Sequence, residues 1–216
     1  MKPLSFLIAD DHELVRRGLR TLLETQPNWI VAGEASDGRE AVEQALRLKP
    51  DLVIMDITMP ELNGLDATRQ ILKSLPQTQV LILTMHESEH VVREVLASGA
   101  RGYVLKSDAG RDLIAAAEAL SQRRTFFTNK VSDMVLDGYL NRKLVDEAPT
   151  GKRLTVRERE VVQLVAEGKS SKQISHVLNI SIKTVEAHRS NIMKKLGLGS
   201  VGDLVRYAIR NNIIES

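Results

Sequence analysis

The first 121 residues alternate between short apolar runs and longer amphipathic stretches. Runs such as LSFLIA and QVLILT have the length and composition of strands buried on both faces of a sheet. Between them, apolar residues recur every three or four positions, as in helices with one buried face. We predict strands at Leu4–Ala9, Trp29–Ala35, Leu52–Met55, Gln79–Thr84 and Gly102–Lys106, and helices at Glu13–Gln26, Gly38–Leu48, Gly64–Leu75, Ser88–Ala97 and Ala109–Leu120.

Strict alternation of strands and helices is typical of a parallel sheet, because each crossover between parallel strands needs a connecting helix. For residues 1–122 we therefore expect an α/β domain, a doubly wound (flavodoxin-like) sheet of five parallel strands. In the strand order 2-1-3-4-5, the carboxyl ends of the strands surround one crevice.

The pattern changes after residue 122. Residues 123–152 read as a linker, with a predicted amphipathic helix at Asn129–Asn141 and then the turn-rich stretch DEAPTGK. Residues 153–216 lack strand-like alternation and indicate an all-α domain of four helices. These are predicted at Thr155–Glu167, Ser170–Leu178, Ser181–Leu196 and Ser200–Asn211, with Thr155, Ser170 and Ser181 as N-caps.

The composition indicates an ordinary globular protein and excludes several kinds of site. With 43% hydrophobic and 27% charged residues, the chain resembles ordinary globular proteins. It has no apolar run long enough to cross a bilayer and no leader pattern, so we predict no membrane association and a cytoplasmic location. The absence of cysteine excludes disulfides, thiol catalysis and cysteine-based zinc sites.

The charge is divided unevenly along the chain. Residues 1–122 hold 13 Lys+Arg and 18 Asp+Glu, a balance of −5, whereas residues 123–216 hold 17 and 10, a balance of +7. Residues 123–216 are therefore expected to bind a polyanion. The alternative is a basic surface that serves only solubility.

Polar side chains follow four of the predicted strands. Asp10 and Asp11 follow the first, Asp56 the third, Thr84 the fourth and Lys106 the fifth. Three carboxylates in one crevice form a hard oxygen site suited to Mg²⁺, and a hydroxyl and an ammonium opposite them can hold a phosphoryl group. A dinucleotide-binding fold would carry a glycine-rich turn after its first strand, where this chain is acidic. For Asp56 alone, a solvated loop aspartate remains an alternative.

Residues 4–121 resemble a two-component receiver domain. The resemblance implies that Asp56 accepts phosphate from a sensor histidine kinase. It also implies that Asp11, Asp56 and the Thr58 carbonyl bind Mg²⁺, with Asp10 acting through water. The resemblance rests on the Asp10–Asp11 pair, Asp56 followed by Met59, Pro60 and Gly64, then Thr84, and Tyr103 three residues before Lys106.

Three further roles follow from the receiver resemblance. Thr84 and Lys106 are expected to contact the phosphoryl oxygens, and Tyr103 is expected to change rotamer together with Thr84. For Tyr103, an ordinary core aromatic is the alternative.

Residues 153–198 resemble the helix-turn-helix of the LuxR class, so the whole chain is similar to a NarL/FixJ-type response regulator. One departure is Ser175, where an alanine is usual. The residues that match are Leu154, Thr155, Arg157, Glu158, Glu160, Gly168, Ser170, Ile174, Leu178, Ile180, Ser181, Thr184, Val185, His188, Ile192, Lys195 and Leu196.

The third helix of this domain is expected to be the recognition helix. Val185, Ile192 and Leu196 share one face and leave polar residues outward. For His188, a capping or core role is an alternative. The terminal helix, Ser200–Asn211, is expected either to form a dimer interface or to cover the helical bundle. The resemblance implies base contacts from Glu186, Ala187 and Ser190, and phosphate contacts from Lys183, Thr184, His188, Arg189, Asn191 and Lys194.

These features predict a DNA-binding transcriptional regulator that is not an enzyme. Its expected partners are a sensor histidine kinase, double-stranded promoter DNA, a second copy of the chain and RNA polymerase. We further expect the acidic receiver to dock on the basic domain and to cover the recognition helix in the resting protein.

Two rival functions are weighed against this one. A phosphohydrolase of the haloacid dehalogenase type is disfavoured, because its general-acid aspartate would stand at Thr58. A receiver with a protein-binding output domain is the second, and a gel shift would distinguish it.

Overall fold

A computed structural model describes residues 3–85, 88–128, 131 and 154–214. Its first domain is a parallel sheet in the strand order β2-β1-β3-β4-β5-β6. The strands are β1 Leu4–Ala9, β2 Trp29–Ala35, β3 Leu52–Asp56, β4 Gln79–Thr84, β5 Gly102–Leu105 and β6 Phe126–Phe127, and the helices are α1 Glu13–Glu24, α2 Gly38–Leu48, α3 Gly64–Ser74, α4 Glu89–Ser98 and α5 Ala109–Ser121.

The sheet carries an apolar core on each face. One core joins β-strand residues such as Val53 to the helices on one side, and the other includes Ile54 and Leu120. Every residue of β3 is buried. The continuous apolar runs of the sequence thus reflect burial on both faces, which confirms the predicted α/β class.

The sheet has six strands, so the predicted count of five is wrong. The added strand β6 is Phe126–Phe127, which pairs in parallel with Gly102 and Tyr103 of β5. Two residues are too few to show an alternating pattern, and β6 forms because β5 offers an open edge of main-chain donors and acceptors.

Four helices form the second domain. They are α6 Val156–Ala166, α7 Ser171–Val177, α8 Ile182–Leu196 and α9 Val201–Arg210. The side chains of Thr155, Ser170 and Ser181 accept hydrogen bonds from main-chain N–H groups of the first turns, which confirms the three predicted N-caps. An apolar core that includes Val161, Ile174 and Val185 holds the helices together.

The predicted linker helix Asn129–Asn141 lies outside the described residues except for Val131, which is buried in the receiver core. No helix in the described parts of the chain is long and apolar enough to cross a membrane.

Helix α6 is buried on two sides. Its apolar side chains face the core of the helical domain, and its polar side chains Arg159, Glu160 and Gln163 contact the receiver. Arg159 donates to Asp66 over 3.2 Å, and Gln70 donates to Glu160 over 3.0 Å. The two domains are therefore docked through hydrogen bonds between polar side chains of α6 and α3.

Candidate functional site

Asp56 is the last residue of β3, at the carboxyl edge of the sheet. Its Oδ1 accepts a hydrogen bond from the N–H of Ile57 over 2.8 Å. Gly64, the first residue of α3, packs so tightly that an added Cβ would lie 1.8 Å from the main-chain oxygen of Asp56. Only glycine therefore lets α3 begin directly beside this carboxylate.

Lys106 joins the ends of two strands. Its Nζ lies 2.8 Å from Oδ2 of Asp56 and 2.8 Å from Oδ2 of Asp10. Both carboxylates are almost fully buried, with exposed fractions of 4% and 1%. The ammonium follows β5 directly, as the sequence pattern predicts, and it neutralises the carboxylates that end β1 and β3.

The environment of Asp56 raises its pKa from the ordinary value of 3.8 to about 6. Burial is the largest cause, since it disfavours the charged form. The nearby Lys106 opposes this shift, while the charges of Asp10 and Asp11 add to it. Burial also acts to lower the pKa of Lys106, but Asp56 and Asp10 outweigh it and the pKa is raised.

The acidic groups at this edge fit a divalent cation. Ligand atoms of Asp10, Asp11, His12 and Asp56 lie within 4.8 Å of one another. Oδ2 of Asp10 is buried and has no well-directed hydrogen bond among the described residues, although Lys106 is close to it. A small hard cation such as Mg²⁺ prefers oxygen ligands, and these carboxylates can supply them. His12 is not among the ligands that the sequence predicts, and its Nδ1 lies 2.7 Å from Oδ1 of Asp11.

The remaining predicted receiver residues are Thr84, Tyr103 and Thr58. Thr84 ends β4 and is fully buried, and Tyr103 is fully buried in β5. Thr58 is half-buried in the loop between β3 and α3. Thr58 and Thr84 thus lie at the same end of the sheet as Asp56, whereas Tyr103 lies two residues before the end of β5. The roles of these residues stay a prediction.

Helix α8 presents most of its predicted DNA-contacting residues to solvent. Val185 and Ile192 are buried in the domain core. His188 and Arg189 are half-buried. The exposed residues are Lys183, Thr184, Glu186, Ala187, Ser190, Asn191 and Lys194.

Two of the predicted DNA-contacting residues of α8, Thr184 and Arg189, have hydrogen-bond partners within the helical domain. The Nη1 atom of Arg189 donates to Oγ of Ser171 over 3.1 Å, and the Thr184 hydroxyl lies 2.8 Å from the hydroxyl of the N-cap Ser181. Arg189 therefore links α7 to α8, and Thr184 takes part in the cap that starts α8.

The expectation that the receiver covers the recognition helix is wrong for this structure. The receiver contacts α6, through residues such as Gln163, and the outward side chains of α8 stay exposed. The reason is that net charge does not specify which face docks. Hydrogen bonds of individual side chains on α6 determine the contact instead.

Two sequence models of protein families match the chain. The model described as "Response regulator receiver domain" matches residues 6–118. The model described as "Bacterial regulatory proteins, luxR family" matches residues 152–208.

Characterised relatives extend over the full chain. The oxygen regulatory protein NreC of Staphylococcus epidermidis is 39% identical over 217 residues, covering 98% of this chain and 100% of the relative. A solved structure of RcsB from Salmonella enterica serovar Typhimurium, bound to promoter DNA with the phosphomimetic BeF3-, is 29% identical. Its TM-score is 0.60, with 95% of this chain and 98% of that chain covered.

A second RcsB structure, of two dimers bound to two parallel DNAs, is 30% identical with a TM-score of 0.59, covering 97% of this chain and 98% of that chain. Together with the docked helical domain and the acidic crevice, these matches identify the class of protein. The chain belongs to the two-component response regulators that join a receiver to a LuxR-type helix-turn-helix, a family of DNA-binding transcriptional regulators rather than enzymes.

Proposed function

We propose that this protein is phosphorylated on Asp56 by a sensor histidine kinase, and that the phosphate controls its pairing on promoter DNA. The contact of Lys106 with both Asp10 and Asp56 is the observation that carries the proposal, because it places a cation beside a buried carboxylate. A cation so placed can hold an incoming phosphoryl group.

In the proposed transfer, a carboxylate oxygen of Asp56 attacks the phosphorus of a phosphohistidine. The new P–O bond forms as the P–N bond breaks, and the imidazole nitrogen keeps the electron pair. Asp11, Asp56 and the Thr58 carbonyl would hold Mg²⁺, with Asp10 acting through water. Bound Mg²⁺ would neutralise charge between the acidic groups and the phosphate. Lys106 and Thr84 would hold the phosphoryl oxygens.

Phosphate adds a charge of about −1.5 to −2 at the end of the sheet. We propose that Thr84 and Lys106 move toward it, that Tyr103 changes rotamer, and that the surface of α4 and β5 then favours homodimers. The dimer would present two copies of α8 to promoter DNA, where transcription by RNA polymerase is regulated. Since its partner is promoter DNA, we place the protein in the cytoplasm.

The proposed division of labour assigns residues 1–122 to the receiver, 123–152 to the linker and 153–216 to DNA binding. On α8, Glu186, Ala187 and Ser190 would contact bases. Phosphates would be contacted by Lys183, Thr184, His188, Arg189, Asn191 and Lys194.

The proposal is tested by incubating the protein with acetyl phosphate and Mg²⁺. The intact mass should increase by one phosphoryl group, sedimentation should show dimers, and binding to selected promoter DNA should tighten. Asp56→Asn and EDTA should each prevent all three changes. Labelling of Asp56→Asn equal to that of the wild type would contradict the site assignment.

A further inference from the structure

Gln163 belongs to α6 of the DNA-binding domain, yet its side chain is buried against the receiver. It is fully buried. Its Oε1 accepts a hydrogen bond from the main-chain N–H of Asn63 over 2.7 Å. Its Nε2 donates to the main-chain oxygen of Met59 over 2.8 Å. One side chain therefore holds both ends of the segment 59–63.

The segment 59–63 is the chain that follows the phosphoacceptor strand. Met59 shares its peptide bond with the carbonyl of Thr58, so a constraint on Met59 acts directly beside that carbonyl. Asn63 is the N-cap of α3, since its Oδ1 accepts from the N–H of Asp66 over 2.9 Å. Gln163 thus connects the Met59 carbonyl, one peptide beyond the Thr58 carbonyl, to the first turn of α3.

The backbone of this segment is strained. Glu61 has a φ of 66°, in the left-handed region that a residue with a side chain rarely adopts. Such a conformation persists only where its surroundings impose it. Here the N–H of Glu61 donates to Glu167 over 3.0 Å, and Glu167 also accepts from Gln163 over 2.8 Å. The helical domain therefore helps to impose the loop conformation.

We propose that Gln163 is a positioning residue for the phosphoacceptor site. By holding Met59 and Asn63, it fixes the main chain that presents the Thr58 carbonyl, so that docking of the DNA-binding domain increases the affinity of the receiver for Mg²⁺. The inference rests on the proposed function, which assigns that carbonyl to the metal. Outer-shell groups that orient ligands contribute to metal affinity, because a mobile ligand must be ordered on binding.

The test measures binding of Mg²⁺ to the full chain by isothermal titration calorimetry. Gln163→Met keeps the side-chain volume and the helix propensity but removes the donor and the acceptor. The affinity for Mg²⁺ should fall about 10-fold, the lower end of the loss that removal of an outer-shell group causes. The amide of Asn63, followed by NMR, should exchange with solvent faster than in the wild type. Gln163→Ala removes the same donor and acceptor without adding bulk. It should lower the affinity for Mg²⁺ and speed the exchange of the Asn63 amide as Gln163→Met does.

Gln70→Ala is the matched control. Gln70 lies in the same interface and donates to Glu160 over 3.0 Å. Since that bond lies outside the segment 59–63, the control should bind Mg²⁺ within about twofold of the wild type. An equal loss in Gln70→Ala would overturn the role of Gln163 and assign the effect to docking as a whole.

The results separate this inference from the proposed function. The proposed function requires that the wild type binds Mg²⁺ and that Asp56→Asn abolishes this binding. If either condition is not met, the proposed function fails, and this inference fails with it. If the wild type binds Mg²⁺ and both Gln163 variants bind it as tightly or more tightly, only the positioning role is overturned. Thermal unfolding without metal identifies any variant that has lost its fold, and the other variant then decides.

Discussion

The ammonium of Lys106 donates a hydrogen bond to Oδ2 of Asp56 over 2.8 Å. It is also 2.8 Å from Oδ2 of Asp10, so one cation compensates two buried carboxylates at the carboxyl ends of β1 and β3. Removing one partner of a buried ion pair leaves the other charge without compensation. Substitutions at this contact should therefore change stability as well as phosphate binding.

Lys106→Met should lower the free energy of unfolding in the absence of metal by about 2–4 kcal/mol, because Asp10 and Asp56 lose their cation. Added Mg²⁺ should recover more stability in this variant than in the wild type, since a divalent ion then supplies the missing charge. Chemical denaturation with and without Mg²⁺ measures both effects. Lys73→Met, at an exposed lysine of α3, is the control and should change little. Equal losses in the two variants would contradict the prediction.

Asp56→Asn should stabilise the metal-free protein at pH 7. The pKa of Asp56 is raised to about 6, so the folded state binds the proton more tightly than the unfolded chain and ionisation opposes folding. The gain from the substitution should be small below pH 3.8, grow as the pH rises, and be complete above about pH 6, reaching up to about 3 kcal/mol. Denaturation curves across this range test it, and a difference independent of pH would refute the cause.

Phosphate contacts and base contacts on α8 should be separable by substitution. Lys194→Ala should weaken binding to all sequences and reduce the slope of the salt dependence by about one. Arg189→Ala should also weaken all binding, but it removes the bond to Ser171 as well, so exposed Lys194 is the cleaner probe.

Glu186→Ala should relax the preference at one base pair by about 1–3 kcal/mol, because a carboxylate accepts from the amino group of cytosine. Selection of bound sequences from random duplexes measures the preference. An unchanged motif would show that Glu186 reads no base.

The docked interface should respond to pH through Glu167. Burial raises its pKa, against the hydrogen bonds from Gln163 and from the N–H of Glu61 and the charge of Lys169. Its protonated form is thus favoured by docking, and this contribution is lost as the pH rises above the ordinary value of 4.5. Glu167→Gln, which keeps an acceptor oxygen and removes the charge, should raise the thermal unfolding temperature at pH 7.

Glu158→Gln provides the control of opposite sign. Burial acts to raise the pKa of Glu158, but bonds from Lys195 and Thr155 outweigh it and lower the pKa. This substitution should therefore destabilise the protein at pH 7. If both variants shifted the unfolding temperature in the same direction, the electrostatic cause would be refuted.

The receiver fold was largely predictable because its signals are local and repeated. The predicted ends of β1, β2 and β4 agree with those of the structure, and polar residues at the ends of four predicted strands indicated the crevice. Parallel strands bring such residues to one edge whatever the details of packing. The meeting of Asp10, Asp56 and Lys106 therefore followed from strand order alone.

The contacts between the domains were not predictable in the same way. Gln163 is a polar residue on a helix, and the sequence does not show that it is buried and bonded to Asn63 and Met59 of the receiver. The charge difference between the two halves suggested docking but said nothing about which helix would dock. The pairing of β6 also depends on a free edge in three dimensions, which two phenylalanines in the sequence do not reveal.

The pairing of β6 also shortens the connection between the two domains. Because Phe126 and Phe127 pair with β5 and Val131 is buried in the receiver core, the connection to the second domain starts after Val131 and not after Ser121, where α5 ends. Residues 122–131 therefore do not contribute to the connection, which reduces its greatest span by about 33 Å at about 3.3 Å per extended residue. If two chains pair through their receivers, as proposed, a shorter connection narrows the range of distances along DNA at which their α8 helices can lie. It would then restrict the spacing of the half-sites that one dimer can occupy.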